Sequence, residues 1–238
     1  MDKRLLIILN PHSGKGKIKT KILDIIDIFI KDGWNPYVYI TQGSNDAFEF
    51  VKEKGFEFML ESFAKASETT DLGLVMIGDG AYKEKYLELI DKLGVEDRVY
   101  FTGFQNNPYK YMAKSDIFVL SSLSEGFPNV VAEAMSLGLP VIASNCYSGP
   151  AEILRNDCDY EAVIDNYVEC DYGIITPRMT ATDNENAISS LADAIVYLAN
   201  DEELLKKYSQ LSKQRSLEYS PEVAAQKFRK IFDKLVDG

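Results

Sequence analysis

The segment from Ser121 to Ser144 constrains the fold of this chain more than any other part of the sequence. It reads SSLSEGFPNVVAEAMSLGLPVIAS, follows the apolar run IFVL, and ends in a second apolar run, VIAS. Pro128 stands where a first helical turn would begin, since that position does not need an N–H group, and Gly138 is a typical helix-ending residue. The segment therefore predicts a strand, a loop, a helix and a second strand, which is the repeating unit of a parallel α/β sheet.

The loop of this unit is predicted to bind an anionic ligand. Ligands of open α/β sheets bind at the carboxyl ends of the strands, and backbone N–H groups from Gly126 to Val130 would lie at a helix N-terminus that favours a diphosphate. Glu125 in the loop and Glu133, about two turns into the helix, flank these groups, so both carboxylates can reach one ligand. The alternative is a solvated loop glutamate and a helix-surface glutamate.

The same residues resemble a known family motif. EGFPN (125–129) followed by EAM (133–135) is similar to the E-x7-E signature in the donor-binding domain of retaining GT-B glycosyltransferases. The resemblance covers about residues 54–238. It continues, in the family's order and near its spacing, through LVMIGDG (74–80), DRVYFTGF (97–104), YMAKSDIFVLSS (111–122), GLPVIAS (138–144) and GPAEIL (149–154).

The resemblance implies transfer of a sugar, with retention, from a nucleotide-diphospho-sugar. That donor is a substrate, so neither a cofactor nor a metal is expected. In similar enzymes the residue matching Glu133 holds the ribose hydroxyls and the residue matching Glu125 contacts the sugar, while a lysine matching Lys54 stabilises the departing diphosphate. Glu125 and Lys54 are thus the expected catalytic residues. The other donor-binding positions that the resemblance implies are Gly103, Gly126, Phe127, Pro128, Asn129 and Val130.

The chain departs from the family pattern at one phosphate contact. The family's second basic residue is an arginine in a Gly-Arg-Leu turn, and counting back from Lys54 puts Glu49 at that position. A carboxylate in place of a guanidinium at a diphosphate site is expected to weaken donor binding, and to weaken catalysis more.

A different pattern occupies the start of the chain. LLIILN (5–10) predicts a buried strand, isoleucines at helical spacing over 18–29 predict a helix that ends at Gly33, and YVYIT (37–41) predicts a second strand. The loop after the first strand, PHSGKGK, presents glycine N–H groups and lysines, which suit phosphate contact. Its candidate phosphate-binding residues are Ser13, Gly14, Lys15 and Gly16. The alternative is an ordinary strand-to-helix turn with solvated lysines.

This N-terminal pattern resembles the nucleotide-binding segment of diacylglycerol-kinase-type lipid kinases over about residues 3–55. IGDG (77–80) does not continue that resemblance, because AYKEKY follows it where such kinases have Gly-Gly-Asp-Gly-Thr. The sequence is therefore interpreted as a chimera joined near KEKGFEF (52–58), at a helix end. Residues 1–55 are expected to form a βαβα segment packed on the same sheet as the donor-binding domain of residues 56–238, because both strands lack polar alternation.

The predicted fold class is α/β, with a doubly wound, Rossmann-like parallel sheet, helices on both faces and added C-terminal helices. Residues 56–66 and 83–94 predict helices, LGLVMIG predicts a buried strand, and VYFTG (99–103) predicts a further strand. Residues 155–171 interrupt the family spacing and predict a surface insertion. Glu152 is either a first-turn helix carboxylate or a ligand contact. The last of three C-terminal helices carries an apolar face, which allows a homo-oligomer through that helix.

Composition and charge limit the remaining functions. A chain of 238 residues, 46% of them hydrophobic, can bury one α/β core but is short for the two domains of a GT-B enzyme. A formal net charge of −11 argues against binding to nucleic acid or to anionic membranes. Three cysteines and one histidine form no metal-binding pattern, and no apolar run is long enough for a membrane span or a signal peptide. A cytoplasmic protein with reduced thiols is expected.

The predicted function is that of a glycosyltransferase donor-binding domain. Its expected ligand is a nucleotide-sugar or nucleoside diphosphate, and no detectable sugar transfer is expected from the chain alone. One alternative is a non-catalytic chimeric or engineered Rossmann-like scaffold. A less favoured alternative is a nucleotide-dependent lipid kinase.

Overall fold

A computed structural model of the chain describes the backbone of residues 3–9, 34–40, 46–78, 82–146, 149–157, 163–180, 184–220, 222–223, 225–226 and 229, and side chains from residue 55 onward. Contacts divide the chain into two compact units, Met1–Lys54 and Gly55–Gly238. Several predictions lie outside the described residues, namely the Ser13–Gly16 loop, the helix over 18–29, most of the last C-terminal helix, and the side chains of Glu49 and Lys54.

The first unit contains a two-stranded parallel sheet. β1 (Lys3–Leu9) pairs with β2 (Trp34–Ile40) over its whole length, and the apolar, β-branched and aromatic composition of both strands favours this state. That these strands extend the sheet of the second unit stays a prediction.

Helix α1 (Asp46–Ser67) is one continuous helix, so the predicted helix end near KEKGFEF is wrong. Glutamate, lysine and other residues compatible with a helix flank Gly55 on both sides. A single internal glycine costs only about 1 kcal/mol, which the neighbouring helical turns can outweigh.

The second unit alternates strands and helices, as predicted. Its strands are β3 (Leu74–Met76), β4 (Val99–Phe101), β5 (Phe118–Leu120), β6 (Val141–Ser144), β7 (Val168–Glu169) and β8 (Ile174–Thr176). Its helices are α2 (Lys83–Leu93), α3 (Tyr109–Met112), α4 (Asn129–Ser136), α5 (Gly149–Leu154), α6 (Glu185–Ala199) and α7 (Glu202–Ser216), and a 3-10 turn, Leu217–Tyr219, follows α7.

Strands β5, β6 and β8 form the parallel centre of this unit. β6 lies between the other two, and all three run in the same direction, so their carboxyl ends lie at one edge of the sheet. This edge is called the carboxyl edge below. Every residue of β6 and of β8 is buried, which is typical of parallel strands covered on both faces.

Strand β3 departs from the expected burial, and strand β7 lies where no strand was predicted. β3 and β4 form a separate two-stranded parallel sheet, and the facing residues Val75 and Tyr100 are 44% and 63% exposed because one face of this small sheet meets solvent. β7 lies inside the segment 155–171 that was predicted as a surface insertion, and it pairs antiparallel with β8. Both of its residues are exposed, so no apolar pattern marks it in the sequence.

Helices α4, α5 and α6 all pack on this sheet. The end of α4 is the one predicted: Gly138 has a φ of +80°, and its N–H donates to the Met135 carbonyl at 2.9 Å. α4 also packs against α7. The buried side chains of the main core are Leu120, Val131, Met135, Val141, Ala143, Ala151, Ile153, Leu154 and Ile175.

Candidate functional site

The loop between β5 and α4 lies at the carboxyl edge, as the sequence predicted. α4 begins at Asn129, directly after Pro128, and the Val131 N–H donates to the Pro128 carbonyl at 2.9 Å. Within the described part of the chain, no backbone carbonyl accepts the N–H groups of Phe127, Asn129 or Val130. These amides are free to meet an anion at the positive end of the helix.

The Glu125 carboxylate is fixed by a hydrogen-bond chain that crosses from one strand to the next. Ser122 Oγ donates to Glu125 Oε1 at 2.7 Å. Ser144 Oγ, at the end of β6, donates to the Ser122 carbonyl at 2.6 Å. The serines follow or end neighbouring strands, so the sheet itself sets the position of this carboxylate beside the loop amides.

The loop is also held against the start of α5. The Gly149 N–H donates to the Gly126 carbonyl at 2.9 Å. A Cβ added at Gly149 would collide with that carbonyl oxygen and with the Pro128 ring. The absence of a side chain at position 149 is therefore required for this close approach.

The Phe127 side chain packs against the C-terminal end of the unit. Its ring centroid lies 5.2 Å from that of Tyr219, and Tyr219 Oη donates to the Glu152 carbonyl at 3.2 Å. The Glu152 side chain is exposed in the first turn of α5, so both of its expected roles stay predictions.

Glu133 lies one turn into α4, because the helix begins at Asn129, so the predicted distance of about two turns is wrong. It lies on the stripe of the helix that also carries Asn129 and Val130, because residues three and four apart are neighbours on a helix surface. The opposite stripe, including Val131 and Met135, is fully buried. The Glu133 side chain is half-buried. Its contact with ribose hydroxyls stays a prediction.

Gly103 lies just after β4 with a φ of +66°, and its carbonyl accepts the Gly78 N–H at 3.1 Å. It is thus at the carboxyl end of the β3–β4 sheet, where a ligand contact is expected.

In the residues that the structure describes, no group of three or more His, Cys, Asp or Glu side chains is placed to hold a metal ion. The helices in this same part of the chain include none long and apolar enough to cross a membrane.

Arg178 is a cation at the carboxyl edge that sequence reasoning missed. It follows β8, and its Nε donates to the Asn145 carbonyl, just beyond β6, at 2.8 Å. The Asn145 N–H in turn donates to the Thr176 carbonyl at 2.9 Å. No motif marks this arginine, and only the pairing of β6 with β8 brings it to the site. The signal that could have found it is a charged residue placed two positions after a buried strand.

Cys146 feels both charges. The pKa of its thiol is raised from 9.0 to about 12, mainly by burial and also by the negative charge of Glu125, while hydrogen bonds and the positive charge of Arg178 act in the opposite direction. Both side chains therefore act on one sulfur atom at the carboxyl edge.

We expect Cys146 and Cys170 to resist alkylation in the native chain. Burial raises their thiol pKa values to about 12 and about 11, so at about pH 8 almost no reactive thiolate is present. Iodoacetamide labelling followed by mass spectrometry should modify neither residue in buffer and both in urea. Fast labelling of Cys146 or Cys170 in the native chain would contradict these pKa shifts.

The same pKa shifts set the sign of a pH effect on stability. The folded state holds the two thiol protons more tightly than the unfolded state, whose ordinary pKa is 9.0. This contribution to the free energy of unfolding is fully present below about pH 9, and it is lost as the pH rises towards the folded-state values.

A parallel α/β unit whose free amides and carboxylate meet at the strand ends has a Rossmann-like architecture with a candidate ligand site at that edge. The family model of glycosyl transferases group 1 matches residues 48–169, half of the chain. The chain therefore belongs to this glycosyltransferase family.

Two relatives show how much of a longer protein the chain matches. An uncharacterized glycosyltransferase of Methanocaldococcus jannaschii is 36% identical over 209 residues, covering 81% of this chain and 50% of the relative. An N-acetylgalactosamine-N,N'-diacetylbacillosaminyl-diphospho-undecaprenol 4-alpha-N-acetylgalactosaminyltransferase of Campylobacter jejuni is 32% identical over 165 residues, covering 69% of this chain and 39% of the relative. The chain thus spans half or less of the length of these relatives.

Solved structures share the fold at low sequence identity. The pneumococcal O-GlcNAc transferase GtfA, in complex with UDP and GlcNAc, has a TM-score of 0.64 at 15% identity, covering 99% of this chain and 46% of the transferase. Anabaena HepE, in complex with UDP, has a TM-score of 0.61 at 17% identity, covering 96% of this chain and 64% of HepE. The predicted α/β fold class is confirmed, and it is the fold of GT-B glycosyltransferases. The resemblance of residues 3–55 to lipid kinases stays a prediction.

Proposed function

We propose that this chain binds a nucleotide-diphospho-sugar through the loop Glu125–Val130 and supplies the donor side of a sugar transfer with retention. The observation that carries the proposal is the set of free amides of Phe127, Asn129 and Val130 at the N-terminus of α4, beside the fixed Glu125 carboxylate. A diphosphate is the part of such a donor that these amides suit.

The chemistry follows from where charge develops. As the bond between the sugar and the diphosphate breaks, negative charge grows on the leaving oxygen, and oriented amides at a helix N-terminus stabilise it without reorganising. Glu125 is proposed to act at the sugar, Glu133 on the ribose hydroxyls and Lys54 on the diphosphate. UDP is the first nucleotide to test, because the structures of GtfA and HepE contain it.

Sugar transfer by these 238 residues alone is expected to be undetectable. The chain covers half or less of its relatives' length, and residues that bind an acceptor are proposed to lie outside the matched part. A homo-oligomer through the last helix and a cytoplasmic location also remain hypotheses from the sequence.

Calorimetric titration of the full chain with UDP, a panel of nucleotide-sugars and ATP tests the proposal. Hydrogen bonds to charged groups are worth roughly 1.5–3 kcal/mol each, and one family contact is replaced by Glu49, so we expect a Kd for UDP of roughly high micromolar to millimolar. Binding of ATP in preference to UDP would favour the lipid-kinase alternative, and binding of neither would favour the scaffold alternative.

Glu49→Arg is expected to strengthen UDP binding by roughly tenfold or more, because it restores a charged donor and removes a negative charge. Glu68→Arg, which makes the same charge change at an exposed position just after α1, is the control and should leave the affinity unchanged. Equal affinities in both variants would show that residue 49 does not lie near the diphosphate.

A further inference from the structure

Arg215, near the end of α7, is a buried guanidinium whose three nitrogens all have partners. Its Nε donates to the Ile153 carbonyl at 3.0 Å, and its Nη2 donates to the Glu152 carbonyl at 2.8 Å. Its Nη1 pairs with the Glu218 carboxylate at 2.7 Å. The two carbonyls belong to the end of α5, where a helix leaves its own acceptors unpaired. Arg215 therefore caps α5 from another helix and ties the two helices together.

Tyr219 connects this capped helix end to the loop Glu125–Val130. Its ring lies 5.4 Å from the Arg215 guanidinium, and its Oη donates to the Glu152 carbonyl at 3.2 Å. The same ring packs on Phe127 with 5.2 Å between centroids. One aromatic side chain is thus held by α5 and α7 and in turn contacts the loop.

The loop needs support from side-chain packing because its amides are proposed to bind the ligand. An N–H group that meets a ligand cannot also be paired with the protein, and the amides of Phe127, Asn129 and Val130 are unpaired with backbone acceptors in the described residues. A loop with free amides has few backbone bonds to hold it, so side-chain packing must set its geometry.

We propose that Tyr219 is a positioning residue for the loop Gly126–Val130. Its ring, fixed by Arg215 and by the Glu152 carbonyl, holds Phe127 and thereby orients the amides that meet the donor diphosphate. This inference rests on the proposed function for the identity of the ligand. Tyr219 does not itself touch the donor in this proposal, and it acts through Phe127.

The test compares two substitutions at Tyr219 in the full chain by UDP titration. Tyr219→Ala removes the ring and is expected to weaken UDP binding about fivefold to tenfold, the size of one aromatic pair. Tyr219→Phe keeps the ring and loses only the Oη hydrogen bond, so its affinity for UDP should lie within about twofold of the parent's affinity. Adding Tyr219→Ala to Phe127→Ala should change the affinity little further, because the two side chains act as one unit.

Tyr172→Ala is the matched control. The Tyr172 ring lies 4.6 Å from the same Arg215 guanidinium, on the part of the cluster that does not include Phe127. Its loss should lower thermal stability and leave UDP affinity unchanged. Equal losses of affinity in Tyr172→Ala and Tyr219→Ala, or no loss in Tyr219→Ala, would overturn the proposal.

Amide NMR spectra recorded without nucleotide test the positioning role of Tyr219 independently of whether the chain binds UDP. The signals of Gly126–Val130 should shift or broaden in Tyr219→Ala and stay in place in Tyr172→Ala. If the parent binds no UDP while these signals respond as expected, the proposed function fails and the positioning role stands. If the parent binds UDP and the loop signals ignore Tyr219→Ala, the positioning role fails alone.

Discussion

Glu133→Ala is expected to remove measurable UDP binding. The parent affinity is already expected to be weak, and the carboxylate is proposed to hold two ribose hydroxyls. Each hydrogen bond to a charged group is worth roughly 1.5–3 kcal/mol, so losing both would weaken binding by more than about a hundredfold. Calorimetry and ligand-observed NMR would then detect no complex at millimolar UDP.

Loss of the fold is not expected to explain that result. Glu133 is half-buried on the stripe of α4 opposite the buried Val131 and Met135, and alanine is the best helix former. The control is Ser136→Ala at an exposed position on the same helix, where the Oγ donates only to the Glu133 carbonyl in the described contacts. That variant should bind UDP like the parent. If Glu133→Ala also binds like the parent, the ribose lies elsewhere and the E-x7-E interpretation of this site is wrong.

Local sequence signals predict the strand–loop–helix–strand unit because each boundary has its own cause. Pro128 favours the start of α4, Gly138 supplies the positive φ that ends it, and the apolar runs on both sides favour strands, partly buried in β5 and fully buried in β6. The position of Glu125 beside the helix N-terminus follows from the same few residues. This part of the site depends on neighbours in the chain, so one sequence is enough to predict it.

Contacts between distant segments carry no such signal. Arg178 reaches the carboxyl edge only because β8 pairs with β6, and Tyr219 reaches Phe127 only because α7 packs beside α4. The predicted burial of β3 is wrong for a related reason, since the exposure of Val75 and of the facing Tyr100 depends on what covers the sheet. Apolar strand composition alone does not state whether a second layer exists.

Gly149→Ala is expected to disrupt the loop and the fold around it together. The new Cβ would collide with the Gly126 carbonyl oxygen and the Pro128 ring, and neither is the end of a flexible side chain that could rotate away. α5 cannot retreat easily, because Ala151 and Ile153 behind it are fully buried. Overpacking of this kind costs about 1–3 kcal/mol, and the displaced amides should no longer bind UDP measurably.

Thermal unfolding and UDP titration of two glycine variants test whether the Gly149–Gly126 contact holds the loop. For a chain of this size we expect the midpoint of Gly149→Ala to fall by roughly 2–10 °C. Gly73→Ala is the matched control, because its Cβ would meet only the Arg98 carbonyl at 3.9 Å, an ordinary contact. That control should keep the parent's affinity and unfold at the same temperature or slightly higher, since alanine restricts the unfolded chain. Should Gly149→Ala instead match the control in both measurements, α5 does not hold the loop through the Gly149–Gly126 contact, and the free amides must owe their geometry to Tyr219 and the sheet alone.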